Sequence, residues 1–79
     1  MDKVYVVKIQ HDYETSERAG AGGMFQVISC VGELADEHTI NLNVDCGVHY
    51  HDNNEVIEHL KKTYAGKYDF SSVDVVDDD

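Results

Sequence analysis

The run from Lys3 to Ile9, KVYVVKI, carries β-branched and aromatic side chains on both parities, the pattern of a strand with neighbours on both sides. The next stretch, HDYETSERAGAGG, has no apolar period and ends in Gly20, Gly22 and Gly23, so it reads as a mobile connection. Met24 to Val31, MFQVISCV, is again apolar on both parities and predicts a second strand, and GELADEH is a short polar turn into a third. In that third strand, HTINLNVDC, Ile40, Leu42, Val44 and Cys46 face one way while Thr39, Asn41, Asn43 and Asp45 face the other.

Between Asp52 and Gly66 the apolar spacing changes from two to three and four. Val56, Ile57, Leu60 and Tyr64 form one helical stripe, Asp52 is an N-cap with Glu55 placed for a capping box, and Gly66 supplies the stop. Lys61 and Lys62 fall where the helix dipole favours cations. After Gly66, KYDFSSVDVVDDD predicts a last strand whose apolar parity switches between Phe70 and Val73, which calls for a bulge or bend at Ser71 and Ser72. The predicted order is β-β-β-α-β, an α+β fold of two layers with a mostly antiparallel four-stranded sheet and one helix packed on one face. Residues 1–76 make the single domain, and 77–79 read as a solvated acidic tail.

Charge changes the picture more than composition does. Sixteen Asp and Glu against six Lys and Arg leave a formal net charge of −10. Such a chain is repelled by nucleic acid and by anionic membrane and drawn to basic protein surfaces. Two cysteines, Cys30 and Cys46, are too few for a dense disulfide framework, so free thiols in a reducing cytoplasm are expected. The opening MDKVYVVKIQ lacks the form of a signal peptide and no run reaches the length of a membrane span, so a cytoplasmic location is the expectation.

The densest chemistry lies in CGVHYHDNNEVIEH. Cys46, His49 and His51 supply three zinc-type ligands, with Asp52 or His59 available as a fourth. Against a metal, Cys46 has the inward parity of the third strand, Asp52 is occupied as a helix cap, and the paired-knuckle spacing of strong zinc motifs is missing. A histidine-rich strand-to-helix junction accounts for the same residues, so no metal and no cofactor are expected. A Cys46–His49 nucleophile pair and an Asp36–Glu37 acid-base pair lack a visible base or oxyanion site, so no enzyme is expected.

The carboxylates that remain are spread over both connections and the last strand, with Glu33, Asp36, Glu37, Asp45, Asp69 and Asp74 as the candidate partner-binding residues. A rigid acidic surface can occupy a track of Lys and Arg that otherwise holds phosphates. The clusters DYETSE, GELADE and DVVDDD around a β-β-β-α-β core give the chain a general resemblance to small phage-encoded inhibitors of host defence, anti-CRISPR proteins among them. The resemblance implies a stoichiometric protein binder in a bacterial host cell that blocks nucleic-acid recognition or nuclease recruitment, and it carries over no individual residue.

Three readings therefore stand. The leading one is a non-catalytic acidic inhibitor that docks on a basic protein or ribonucleoprotein complex, with no direct contact to nucleic acid or membrane. The second is a metal module built on Cys46, His49 and His51. The third is a structural subunit that gains core by forming a homodimer.

Overall fold

The computed structural model describes residues 1–45 and 47–79. Its frame is the meeting of two distant segments. Strands β1 (Asp2–Lys3) and β2 (Val6–Asp12) run parallel to β5 (Tyr68–Asp69) and β6 (Asp74–Asp77) respectively. Partners stand 66 residues apart in the first pair, Asp2 with Tyr68, and 68 apart in the second, Val6 with Asp74. The later segment thus holds two extra residues, taken up by the turn at Ser71 and Ser72, where Asp69 Oδ1 accepts from the Ser71 N–H at 2.9 Å. Hydrogen bonding continues past the step: Val4 N–H donates to Asp69 O and Asp74 N–H donates to Tyr5 O, each at 2.9 Å. The parity switch between Phe70 and Val73 is this bend.

The main sheet has four strands in the order β4-β3-β2-β6, with β3 at Gln26–Glu33 and β4 at Thr39–Asn41. The β2–β3 and β3–β4 pairs are antiparallel and β2–β6 is parallel, so the sheet is mixed. The last strand runs parallel to β2 because the long connection through the second helix brings the chain back to the end where β2 starts. The third strand is shorter than its alternation predicts. Leu42 N–H still donates to Cys30 O at 2.9 Å, the chain then leaves β3, and it returns at the Phe25–Tyr50 bridge. The two-versus-one count of a bulge falls at Ile28, which lies between the partners of Gln10 and His11.

Among the described residues there are two helices where the sequence predicts one. Helix α1 (Tyr13–Arg18) occupies the stretch read as a mobile connection; Asp12 caps it by accepting from Thr15 N–H at 3.0 Å, and Glu14 pairs with Arg18. Six residues are too few for an apolar period to announce a helix, so only the cap and the ion pair could have signalled it. Helix α2 (Asn53–Thr63) has the expected cap, Asp52 accepting from Glu55 N–H at 3.1 Å. The Glu55 carboxylate reaches past the cap and accepts instead from His51 N–H at 3.1 Å. Gly66 adopts the positive φ of 82° that ends the helix.

The inward parity of the sheet and the stripe of α2 meet in one buried cluster containing Val7, Ile9, Cys30, Leu42, Val56, Ile57 and Leu60. Each such aliphatic side chain contributes about 1.5–3 kcal/mol on burial. The opposite parity, Val6, Lys8, Val31, Glu33, Asp74 and Val76, is half-buried or exposed. Gly32 lets β3, β4 and the β1–β2 junction close on one another, since a Cβ there would lie 3.1 Å from Leu42 Cδ1 and 3.2 Å from both Ile40 Cγ1 and Val4 Cγ1.

Gly32→Ala is expected to destabilise the fold by about 1–3 kcal/mol through overpacking. Gly22→Ala, with nothing within 4 Å of the added methyl, should be neutral or stabilising by up to ~1 kcal/mol. Urea midpoints of both variants check this, and an unchanged midpoint for Gly32→Ala would mean that the contact gives way freely.

Candidate functional site

The sheet gathers some of the candidate carboxylates and separates others. Thr39, Glu33, Val6 and Asp74 form one row across all four strands, so Glu33 and Asp74 flank Val6 on one face about 10 Å apart. Asp36 and Glu37 occupy the hairpin at the same end of the sheet. Asp36 accepts from His38 N–H at 3.1 Å and faces His38 Nδ1 at 2.6 Å, and this imidazole holds its carboxyl below the usual range. Glu37 takes a positive φ of 65°, which a β-carbon disfavours and which the closing Leu34–His38 hydrogen bond enforces. Asp69 pairs across the short ladder with Lys3, and hydrogen bonding from Ser71 lowers its pKa. Asp45 lies apart from the rest, 3.9 Å from His59 Nε2 beside α2.

The cations are largely spoken for. Lys8 binds Glu33 at 3.0 Å, which raises the lysine's pKa, while Arg18 pairs with Glu14 and Lys61 with Glu58 at 3.4 Å. Lys3 and Lys67 lie over the rings of Tyr5 and Tyr68 at 5.0 and 5.5 Å. These pairs leave most of the sixteen carboxylates without a close Lys or Arg partner among the described residues.

The histidine cluster disperses in the fold. His49 Nδ1 shares a 2.7 Å hydrogen bond with Ser16 Oγ, which ties α1 to the segment before α2. His51 Nδ1 faces Glu55 Oε1 at 3.0 Å and lowers the pKa of that carboxylate. His59 Nε2 lies 3.2 Å from Thr63 Oγ1. Cys46, and with it the proposed Cys46–His49 pair, lies outside the described residues. Among the described residues no three His, Cys, Asp or Glu side chains gather in a form that could hold a metal ion. Ser16, the hydroxyl that His49 meets, is fully buried and closed to a substrate.

His11 is the polar centre that the alternation along β2 does not announce. Its side chain is 1% exposed, lies edge-on to Phe25 at 4.5 Å and stacks on Tyr13 at 5.6 Å. Nδ1 faces the Asp79 carboxylate, with Oδ2 at 3.1 Å, and Nε2 faces Asn53 Oδ1 at 2.8 Å. Asn53 is oriented by donating through Nδ2 to Asp77 Oδ1 at 2.8 Å. His11 N–H also donates to Asp79 Oδ1 at 2.8 Å, and Asp78 N–H donates to Ile9 O at 2.8 Å. Asp77 to Asp79, read as a solvated tail, are exposed yet fastened along β2. The strand that ends at Ile9 in the sequence reading continues to Asp12, and its inward parity of Val7, Ile9 and His11 was the available signal.

No helix among the described residues is long and apolar enough to cross a membrane. Cys30 is buried in the core, and desolvation pushes its thiol up to about 11. The thiolate is the reactive form, so iodoacetamide at pH 8 should leave Cys30 unmodified in the native protein and label it in denaturant. Peptide mass spectrometry reads this, and rapid native labelling would place the thiol at the surface.

The backbone N–H of His11 is the main reason that the Asp79 carboxyl titrates below its ordinary value. A depressed folded-state value adds stability above the unfolded carboxylate range, near pH 4, that is lost as pH falls through the folded value. Wild type should therefore exceed Asp79→Asn in stability at pH 7, with the gap narrowing toward pH 3; a gap independent of pH in denaturant titrations would contradict the clasp. Compared with known proteins, the chain matches no family model, no curated protein and no solved structure.

Proposed function

We propose that this protein is a non-catalytic acidic inhibitor that docks on a basic, nucleic-acid-binding surface of a defence or nucleic-acid-processing complex in the bacterial cytoplasm. The observation that carries this reading is the fate of the cations. The chain carries a formal net charge of −10, and of its six Lys and Arg three are paired with acids and two lie over tyrosine rings, so few are free to meet the remaining carboxylates. Carboxylates set on a sheet and a tight hairpin keep fixed spacing at low entropic cost on binding, which favours competition with a phosphate backbone. Glu33, Asp36, Glu37 and Asp74, brought to one end of the sheet, are the residues of first interest.

The reading is tested by capture from nuclease-treated bacterial lysate at low salt, followed by challenge of the retained complex with duplex DNA and, separately, with high salt. The expected result is a nucleic-acid-handling complex released by both challenges, with the triple variant Asp36→Lys, Glu37→Lys, Asp74→Lys retaining much less of it. Retention indifferent to salt, or a complex that DNA cannot displace, would overturn the reading.

A further inference from the structure

The main sheet ends at β6, and the direction of its backbone groups follows from two hydrogen bonds. Asp74 N–H donates to Tyr5 O at 2.9 Å and Asp78 N–H donates to Ile9 O at 2.8 Å. In a parallel ladder alternate residues of a strand face the same neighbour, so Asp74, Val76 and Asp78 turn their N–H groups toward β2. Val75 and Asp77 turn theirs away, and among the described residues β6 has no strand neighbour on that side. From the bend at Ser71 and Ser72 to Asp78, this is an open row of donors and acceptors. The opposite edge, β4, is only three residues long.

From this edge we infer that β6 accepts an extended basic segment of the partner as a fifth strand. The inference rests on the acidic-docking reading above and specifies its mode of contact. Asp74, Val76 and Asp78 share the open face of the sheet, with Val76 44% exposed between the two carboxylates. Neither Asp74 nor Asp78 has a side-chain hydrogen bond or close ion pair among the described residues, whereas Asp77 is engaged by Asn53 and Asp79 by His11. Lys8, on the same face, is drawn to Glu33 on the side away from β6. The complement is a strand that presents cation, apolar residue and cation at alternate positions.

A second copy of this chain is the wrong occupant. Pairing β6 with itself sets aspartates opposite or diagonal to aspartates, and like charges facing across a ladder destabilise it. Charges of one sign on an edge are also how sheets avoid joining one another, so the edge is closed to copies and open to a segment of opposite charge. Main-chain hydrogen bonds would supply affinity and the alternating cations would supply specificity.

The probe is a blocked peptide of alternating design, Lys-Thr-Val-Thr-Lys, titrated into the full chain and followed by amide hydrogen exchange and chemical shifts. Protection confined to Val75, Asp77 and their neighbours is expected, weakening about tenfold when salt rises from ~0.05 to ~0.5 M. Methylating the peptide nitrogens that face β6 should cut affinity by about tenfold or more. Val75→Pro, which removes an outward N–H without touching the ladder to β2, should do the same; the methylated peptide is the independent control should that variant fold poorly.

Perturbation elsewhere on the surface, or binding indifferent to methylation, overturns strand addition. If the peptide fails to bind while the captured complex is still released by salt and DNA, strand addition is wrong and acidic docking stands. Loss of both responses removes the two readings together.

Discussion

The parallel pairing of residues 2–9 with 68–77 is the constraint on which the rest of the molecule depends. It makes β2 an interior strand, paired on both edges, with Val7 and Ile9 at zero exposure in the same buried cluster as the α2 stripe. Pairs separated by 66 and 68 residues close nearly the whole chain into one loop. The entropy of closing it must be met before the helix stripe and the sheet can reward it, so long-range order and core formation arrive together. The two-residue step at Ser71 and Ser72 then sets the register. A slip by one residue would turn Val75 out of the core and Asp74 into it.

Much of this fold was legible because it is written in local periods. The stripe Val56, Ile57, Leu60, the cap at Asp52 and the stop at Gly66 are properties of one segment, and α2 forms where they place it. Strand identity was legible for the same reason, and the last strand's change of parity pointed to the bend. What could not be read was partnership. Nothing inside VDVVD states that its neighbour is β2, that the two run parallel, or that KYD belongs to a different sheet. The short α1 has no sequence period of its own, because six residues give only one cap and one ion pair and glycines follow at once.

The candidate site was legible in chemistry and not in place. Acidity, and the near absence of free cations to balance it, follow from counting residues and then from finding each cation's partner. The histidines at the entry to α2 and within it are near in sequence, and sequence distance says nothing of direction. In the fold His49 turns to Ser16 on α1, while His51 and His59 turn to Glu55 and Thr63 on α2. His11 shows the reverse. One unremarkable residue at a strand's end collects an aromatic pair, an amide and a carboxylate 68 positions away, and no local pattern could have said so.

The order of synthesis gives the β2–β6 pairing another meaning. Ribosomes make β2 before β6, with 61 residues between Asp12 and Asp74, an interval of roughly 3–12 s at ordinary elongation rates. For that time the VVKI segment lacks its final partner, and apolar segments of high strand propensity are where nascent chains cling to one another. The strand that eventually seals it carries aspartates. Its arrival covers an adhesive edge with a repellent one, so the strand translated after β2 also ends a hazardous interval.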